Sequence, residues 1–251
     1  MAFGNKTRGR GGKKKPPAKG KGLGSGFRNI TDGRQESVRV KTAKRRTNSS
    51  ARWLQRQLND PYVSEAKRLG FRGRAAFKLV DIDDKYDFLR PGQKVVDLGC
   101  APGGWVQVSQ NRIGESGHVV GIDLLEVEAI PGADLIQGDF LDNDAPDRLK
   151  ALMKGPADVV LSDMAAATTG HNSTDHLRII GLVEVAIEFA CEVLKPDGTF
   201  VAKVFAGGTE TTLLNLLKKS FSKVVHYKPP SSRKESAEIY VVALGFKGRA
   251  E

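Results

Sequence analysis

Four aspartates stand at or just after the ends of short hydrophobic runs, and this recurrence is the strongest chemical signal in the sequence. They end the segments KVVD, HVVGID, ADLIQGD and ADVVLSD and are Asp97, Asp123, Asp139 and Asp163. One acid after a strand is common, but four of them beside a glycine-rich turn predict a shared site. Carboxylates at such a site can accept hydrogen bonds and neutralise a cation.

The glycine-rich turn, GCAPGGW (99–105), narrows the choice of ligand. Three residues separate Gly99 from Gly103, which excludes the G-x-G-x-x-G of dinucleotide-binding loops, and no G-K-[S/T] of a P-loop is present. Asp123, about 20 residues after the turn, is placed to accept ribose hydroxyls, and Asp139 could accept from an adenine amino group. Because acids also tolerate a cationic centre, these preferences point to S-adenosyl-L-methionine.

A lysine, Lys203, interrupts the apolar run FVAKVF (200–205). Its ordinary explanation is a side chain that reaches water from the end of a strand. The chemical alternative is a lysine kept in a dry site, where burial beside other cations favours the neutral amine. A neutral amine can accept a proton, which a free lysine at neutral pH cannot. Lys203 is therefore a candidate base, or a group that orients a nucleophile.

The elements that must position these residues alternate between strands and helices. The pattern predicts strands at 94–99, 118–123, 133–139, 157–163 and 199–205, with helices at 103–112, 146–153, 175–194 and 210–221. Such alternation is typical of a parallel sheet covered by helices on both faces. Two last runs, 223–228 and 238–246, have no helix between them and are expected to pair antiparallel at the end of the sheet. The sequence thus predicts an α/β, Rossmann-like fold.

The first 50 residues carry all of the net positive charge, and the rest of the chain is slightly acidic. They contain 15 lysines and arginines against Asp32 and Glu36, whereas the rest of the chain contains 25 basic and 27 acidic residues. Eight glycines in the first 26 residues and few large apolar side chains cannot build a core. We expect residues 1–55 to be a disordered basic tail that contacts nucleic acid, with a solubilising or targeting tail as the alternative.

Several classes of protein are disfavoured by what the sequence lacks. Residues 1–26 contain no apolar segment typical of a secretory signal, and no run of about 18 apolar residues could span a membrane. Cys100 and Cys191 match no zinc or redox spacing, and His171 and His176 are not spaced as metal ligands. We therefore expect a soluble, intracellular protein without a metal.

Seven segments resemble the FtsJ-type ribose 2′-O-methyltransferases. They are FRGRAAFKL, DLGCAPGGW, GIDLL, QGDF, LSDMA, FVAKVF and SSRKESAEIYVVALGFK, in that family's order, within residues 60–248. The resemblance implies a methyltransferase domain at 56–251 with a Rossmann-like sheet that binds S-adenosyl-L-methionine. The basic tail is longer than in the short bacterial enzymes, and MAAATTGH follows Asp163 where those enzymes usually have Met-Ala-Pro-Asn.

The resemblance also implies roles for individual residues. The family's catalytic set corresponds to Lys78, Asp163, Lys203 and Glu238. Its cofactor contacts correspond to Gly103, Trp105, Asp123, Asp139 and Asp163. Basic residues that flank the catalytic positions in sequence are expected to contact RNA phosphates; they are Arg72, Arg74, Arg233 and Lys234.

The implied reaction is methyl transfer from S-adenosyl-L-methionine to the ribose 2′-hydroxyl of a uridine in 23S ribosomal RNA, on the assembled large subunit, by a monomer. The resemblance also implies a cytoplasmic location, and the basic tail leaves a mitochondrial location open as the alternative. Lys203, beside Lys78, would be the base or would orient the nucleophile, and Asp163 and Glu238 would neutralise the site. One alternative is the same chemistry on transfer RNA or on a messenger-RNA cap. Another is a ribosome-assembly factor that keeps the fold without catalysis.

Overall fold

The computed structural model describes residue 42 and residues 47–165, 172–205 and 211–248. Its helices are α1 (Asn48–Leu58), α2 (Pro61–Leu69), α3 (Ala76–Tyr86), α4 (Gly104–Ile113), α5 (Ala145–Met153), α6 (Asn172–Val193) and α7 (Thr211–Ser220). Its strands are β1 (Lys94–Leu98), β2 (His118–Asp123), β3 (Ala133–Gln137), β4 (Ala157–Ser162), β5 (Leu194–Phe205), β6 (Phe221–Tyr227) and β7 (Glu238–Phe246). The predicted tail lies almost entirely outside the described residues, and α1 begins within its expected range.

The seven strands form one sheet in the order β3-β2-β1-β4-β5-β7-β6. Strands β1 to β5 pair in parallel, whereas β7 pairs antiparallel with both β5 and β6. The predicted α/β fold is confirmed, and the antiparallel strand lies one place in from the edge. The strand order reverses between β1 and β4, and ligands bind at such a switch point, beyond the carboxyl ends of the strands.

Helices cover both faces of the sheet because successive strand side chains point to opposite sides. In β1, Val96 belongs to a core with helices α5, α6 and α7, where Leu149 and Ile187 are fully buried. The neighbouring Val95 belongs to a second core with α2, α3 and α4, where Phe77 is buried. The sheet is therefore held from both sides.

Local signals determine where α2 begins and ends, and with it the path of the chain into α3. Asp60 caps the amino end of α2 by accepting a hydrogen bond from the Tyr62 amide, and Pro61 occupies the first turn. Gly70 ends the helix in the left-handed conformation, with φ of 75°. The segment 70–75 then leads into α3, which carries Lys78 to the carboxyl end of the sheet.

Strand β5 begins earlier than the sequence predicted. Leu194 already pairs with Ala157, and the regular ladder resumes at Val159 opposite Thr199. The KPDG turn that ends α6 is therefore held inside an irregular stretch of the strand, with Asp197 at φ of 64°. The part of β5 that carries Lys203 is regular.

Candidate active site

A cavity of about 740 Å³ opens at the carboxyl ends of β1, β2, β3 and β4. Three of the four predicted aspartates line it: Asp123, Asp139 and Asp163. The rest of the lining is mainly backbone and apolar side chains, with one arginine; it consists of Gly99, Ala101, Ile122, Leu124, Leu125, Gly138, Phe140, Leu141, Met164, Ala165, Arg178, Gly181, Leu182 and Val185. Three of the four strand-end acids thus share one site, whereas Asp97 does not line it.

The glycine-rich turn packs closely against the neighbouring backbone. At Gly99, where φ is 80°, an added Cβ would lie 2.9 Å from the Met164 backbone. The amides of Gly99 and Cys100 both donate to the Ile122 carbonyl oxygen, at 2.9 and 3.2 Å. The first turn after β1 is therefore pressed against the ends of β2 and β4, and a side chain at position 99 would separate them.

Two of the lining carboxylates also shape the loops that surround the cavity. Asp123 accepts from the Ala101 amide at 2.9 Å and from the Leu125 amide at 2.8 Å. Asp139 accepts from the Leu141 amide at 2.9 Å. A carboxylate has about four lone-pair sites, so each can still accept from a ligand hydroxyl or amino group.

The four residues of the predicted catalytic set come together beside this cavity. Lys203 donates to the Asp163 carbonyl oxygen at 2.6 Å, and its Nζ lies 3.2 Å from Asp163 Oδ1. Lys78 donates to Glu238 Oε1 across 160 positions of sequence. All four side chains are largely buried, with 9% to 18% exposed. The strand lysine is therefore paired inside the protein and does not extend into water.

Tyr240, which the sequence analysis did not select, joins the two pairs. Its hydroxyl lies 2.9 Å from Asp163 Oδ1 and 3.1 Å from Glu238 Oε1, and the residue is fully buried. Burial, and then the charges of Asp163 and Glu238, raise the pKa of Tyr240 well above its usual value, so the phenol remains a donor. The sequence contained a signal that could have identified Tyr240. It lies two positions after Glu238, on the same face of β7, and an antiparallel pairing of β5 with β7 places it opposite Lys203.

The fourth strand-end acid, Asp97, does not line the cavity but lies buried beneath it. The side chain is fully buried, and neither carboxylate oxygen has a hydrogen-bond partner among the described residues. Burial raises the pKa of Asp97 well above its usual value, and the charges of Asp163 and Asp123 add to this effect. We therefore expect Asp97 to hold a proton at neutral pH.

Gly103 and Trp105, two of the predicted cofactor contacts, are not among the residues that line the cavity. Gly103 has a φ of 106° and precedes α4, and an added Cβ there would meet Ile130 at 2.9 Å. The indole of Trp105 is buried, donates to the Ala75 carbonyl oxygen at 2.8 Å and packs 5.6 Å from the Tyr240 ring. These contacts support the loop and Tyr240, and cofactor contact by either residue stays a prediction.

The four predicted RNA contacts occupy three different environments. Arg74 and Arg233 line a second, smaller pocket next to Lys78 and Glu238. The guanidinium of Arg72 donates instead to three backbone carbonyl oxygens around the glycine-rich turn, those of Pro102, Glu128 and Ala129. Lys234 is exposed. RNA contact stays a prediction for all four.

Two features are absent from the part of the chain that the structure describes. No helix there is long and apolar enough to cross a membrane. No group of three or more histidine, cysteine, aspartate or glutamate side chains in the same ranges is arranged to hold a metal ion.

Comparison with known proteins agrees with the geometry of this site. A family model described as FtsJ-like methyltransferase matches residues 71–246. A protein of Paramagnetospirillum magneticum named "Ribosomal RNA large subunit methyltransferase E" is 64% identical over 237 residues, which cover 92% of this chain and 95% of the relative. A protein of the same name from Parvibaculum lavamentivorans is 61% identical over 224 residues, covering 85% and 88%.

A solved structure supports the same assignment. A crystal structure described as a ribosomal RNA methyltransferase from Plasmodium falciparum superposes with a TM-score of 0.65 and 32% identity, covering 71% of this chain and all of that one. The predicted family is confirmed: the chain belongs to the FtsJ-like methyltransferases.

Proposed function

We propose that this enzyme transfers a methyl group from S-adenosyl-L-methionine to the ribose 2′-hydroxyl of a uridine in 23S ribosomal RNA, on the assembled large subunit. The observation that carries the proposal is the pair of buried lysine–carboxylate contacts, Lys203–Asp163 and Lys78–Glu238, beside a cavity that Asp163 also lines. The names of relatives that are 61% and 64% identical support the choice of RNA. We place the activity in the cytoplasm, where a monomer would meet the subunit.

The residues of the large cavity fit S-adenosyl-L-methionine. Three carboxylates suit a ligand with a cationic centre and several hydroxyl and amino donors, and Leu124, Phe140 and Leu141 suit a flat base. In this proposal Asp123 holds the ribose hydroxyls, Asp139 the adenine amino group, and Asp163 the end nearest the catalytic lysines. When bound, S-adenosyl-L-methionine supplies an activated methyl group, so the protein must align the nucleophile and remove one proton.

The lysine–acid cluster can meet both requirements. Lys203 is held by the carbonyl and carboxylate oxygens of Asp163, which fixes its Nζ beside the cavity. From there Lys203 orients the 2′-oxygen and, in its neutral form, takes the hydroxyl proton. The Lys78–Glu238 pair lines the adjoining smaller pocket, and the Tyr240 hydroxyl keeps the two acids in place. Two lysines and two carboxylates leave the cluster without net charge.

The experiment that tests this proposal measures transfer of labelled methyl from S-adenosyl-L-methionine to large ribosomal subunits, to free ribosomal RNA and to transfer RNA. Each substrate is given to the wild type and to Lys203→Ala. We expect label on subunits that falls by at least about a hundredfold in the variant, since general acid–base catalysis contributes roughly 10²–10⁴-fold. The variant should bind S-adenosyl-L-methionine within a few-fold of the wild type in isothermal titration.

Other outcomes would revise the proposal in defined ways. Label on transfer RNA alone would keep the chemistry and replace the substrate. No label on any RNA, together with tight cofactor binding, would indicate an assembly factor. A Lys203→Ala rate within a few-fold of wild type would remove Lys203 from both the base and the orienting role. A kcat that rises with pH in the wild type and not in Lys203→Arg would favour the base over the orienting group.

A further inference from the structure

A second, smaller pocket of about 170 Å³ adjoins the catalytic pair on the side of α1 and α3. It is lined by Gln57, Arg74, Ala75, Lys78, Arg233, Ser236 and Glu238. Small-molecule sites usually have about 300–1,000 Å³, so this pocket has room for one group of a larger ligand. Because Lys78 and Glu238 form part of its wall, whatever group enters lies next to the reaction centre.

The two arginines in the pocket wall are held by one buried carboxylate. Asp60 is 8% exposed, and its Oδ2 accepts from Arg74 Nη1 at 2.5 Å and from Arg233 Nη2 at 3.1 Å. Arg74 also donates to the Ser231 carbonyl oxygen. Two guanidinium groups that share one carboxylate oxygen keep an excess positive charge, and they retain N–H donors beyond those already used.

The charge of the pocket wall is positive and is arranged for a planar or tetrahedral oxyanion. The lining has three basic side chains, Arg74, Lys78 and Arg233, and one acidic side chain, Glu238. Asp60, which binds both arginines from behind, adds a second negative charge, so one positive charge remains in excess. Arginine is the residue that binds phosphate oxygens with paired N–H donors. An RNA substrate carries a phosphodiester within a few bonds of every ribose 2′-oxygen.

We propose that this pocket binds a phosphodiester of the RNA next to the ribose that is methylated, with Arg74 and Arg233 as its ligands and Asp60 as the residue that positions both arginines. The proposal rests on the function proposed above. It places part of the substrate site on α1 and at the start of α2, where Gln57 and Asp60 lie. Both residues precede 71–246, the segment that the family model matches.

The test compares methyl transfer to large ribosomal subunits by the wild type and by Arg233→Gln. We expect KM for the subunit to rise at least about tenfold and kcat to stay within about threefold, because the lost contact is made in the ground state as well. The slope of log KM against log salt concentration should fall by about one. Cofactor affinity should not change. The matched control is Arg90→Gln, an exposed arginine before the amino end of β1, which should leave KM and slope unchanged.

The positioning role of Asp60 is tested separately with Asp60→Asn. Asparagine preserves the helix cap of α2, so a loss of function is not a loss of the helix. We expect Asp60→Asn to raise the KM for the subunit when it is the only substitution. When it is combined with Arg233→Gln, the further rise in KM should be clearly smaller, since both substitutions act on one contact. Additive effects, or a lower KM in Asp60→Asn, would overturn the positioning role. An active Arg233→Gln enzyme with wild-type KM and salt slope would overturn the phosphate site while leaving the proposed function intact.

Discussion

A single hydroxyl group, that of Tyr240, lies within hydrogen-bond distance of both carboxylates of the catalytic cluster. Tyr240→Phe removes this donor and keeps the ring that packs against Trp105. A hydrogen bond to a charged group contributes about 1.5–3 kcal/mol, so we expect kcat to fall by roughly 10- to 100-fold as the two acids lose their common anchor. Steady-state methyl transfer measures this, and unchanged cofactor affinity is the control. A kcat within threefold of wild type would show that Tyr240 only fills space.

Asp97 is the residue whose protonation should affect stability. Because burial raises its pKa in the folded state, the folded chain keeps a proton that the unfolded chain loses above about pH 4, and stability falls as pH rises. Asp97→Asn removes this dependence. The quantity to compare is the unfolding free energy of Asp97→Asn minus that of the wild type. We expect this difference to be larger at pH 8 than at pH 5 by at least about 1 kcal/mol, because only the wild type loses stability as pH rises. Denaturant unfolding at both pH values measures the difference, and a difference that stays constant would mean that Asp97 is not protonated in the folded state.

At the scale of elements, Arg72 ties together the loops around the large cavity. Its guanidinium donates to Glu128 and Ala129 in the loop after β2 and to Pro102 in the glycine-rich turn. Its amide donates to Gln107 of α4, whose own side chain donates to the Gly70 carbonyl oxygen. The segment between α2 and α3 therefore contacts both pockets, because Arg72 holds the loops around the large cavity and Arg74 lines the smaller pocket.

The expected result of Arg72→Gln follows from these contacts. Three carbonyl oxygens lose their donor and two loops loosen, so the Kd for S-adenosyl-L-methionine should rise about tenfold. The salt dependence of RNA binding should not change. Isothermal titration and filter binding measure the two quantities. The reverse pattern, with normal cofactor affinity and a smaller salt slope, would support phosphate contact by Arg72.

For the whole molecule, the proposed function predicts that the distribution of charge affects how RNA is captured. The first 50 residues hold 15 of the 40 basic residues and only two of the 29 acidic ones. Replacing Lys13, Lys14 and Lys15 by glutamine in the full chain removes three positive charges from the predicted tail. We expect a higher KM for large subunits, a smaller salt slope and an unchanged kcat, because released counterions drive such binding.

A control for this prediction removes three charges from the folded body. Lys218, Lys219 and Lys223 are exposed on α7 and β6, and glutamine at all three should change the salt slope less. Equal effects of the two triple variants would mean that net charge alone, and not the tail, governs capture of the RNA.

Sequence by itself determined the order along the chain of the seven strands and of helices α4 to α7, and the edge at which three of the four acids meet. The bounds of helices α1 to α3 were not predicted. The predicted features are local: hydrophobic periodicity sets the element type, and the carboxyl ends of parallel strands lie at one edge. The same reasoning located the glycine-rich turn and the buried lysine of β5. The match of motifs to a family assigned Lys78 and Glu238, which have no local signal of their own.

Only the tertiary structure decided which side chains touch. Lys78 and Glu238 are 160 positions apart, Arg233 and Asp60 are 173 apart, and Tyr240 is 77 from Asp163. Arg72 and Arg74 look equivalent in the sequence, yet one clamps loops and the other lines a pocket. Contacts over such separations depend on how α3 and β7 pack at the end of the sheet. Periodicity and spacing in the sequence carry no information about that packing.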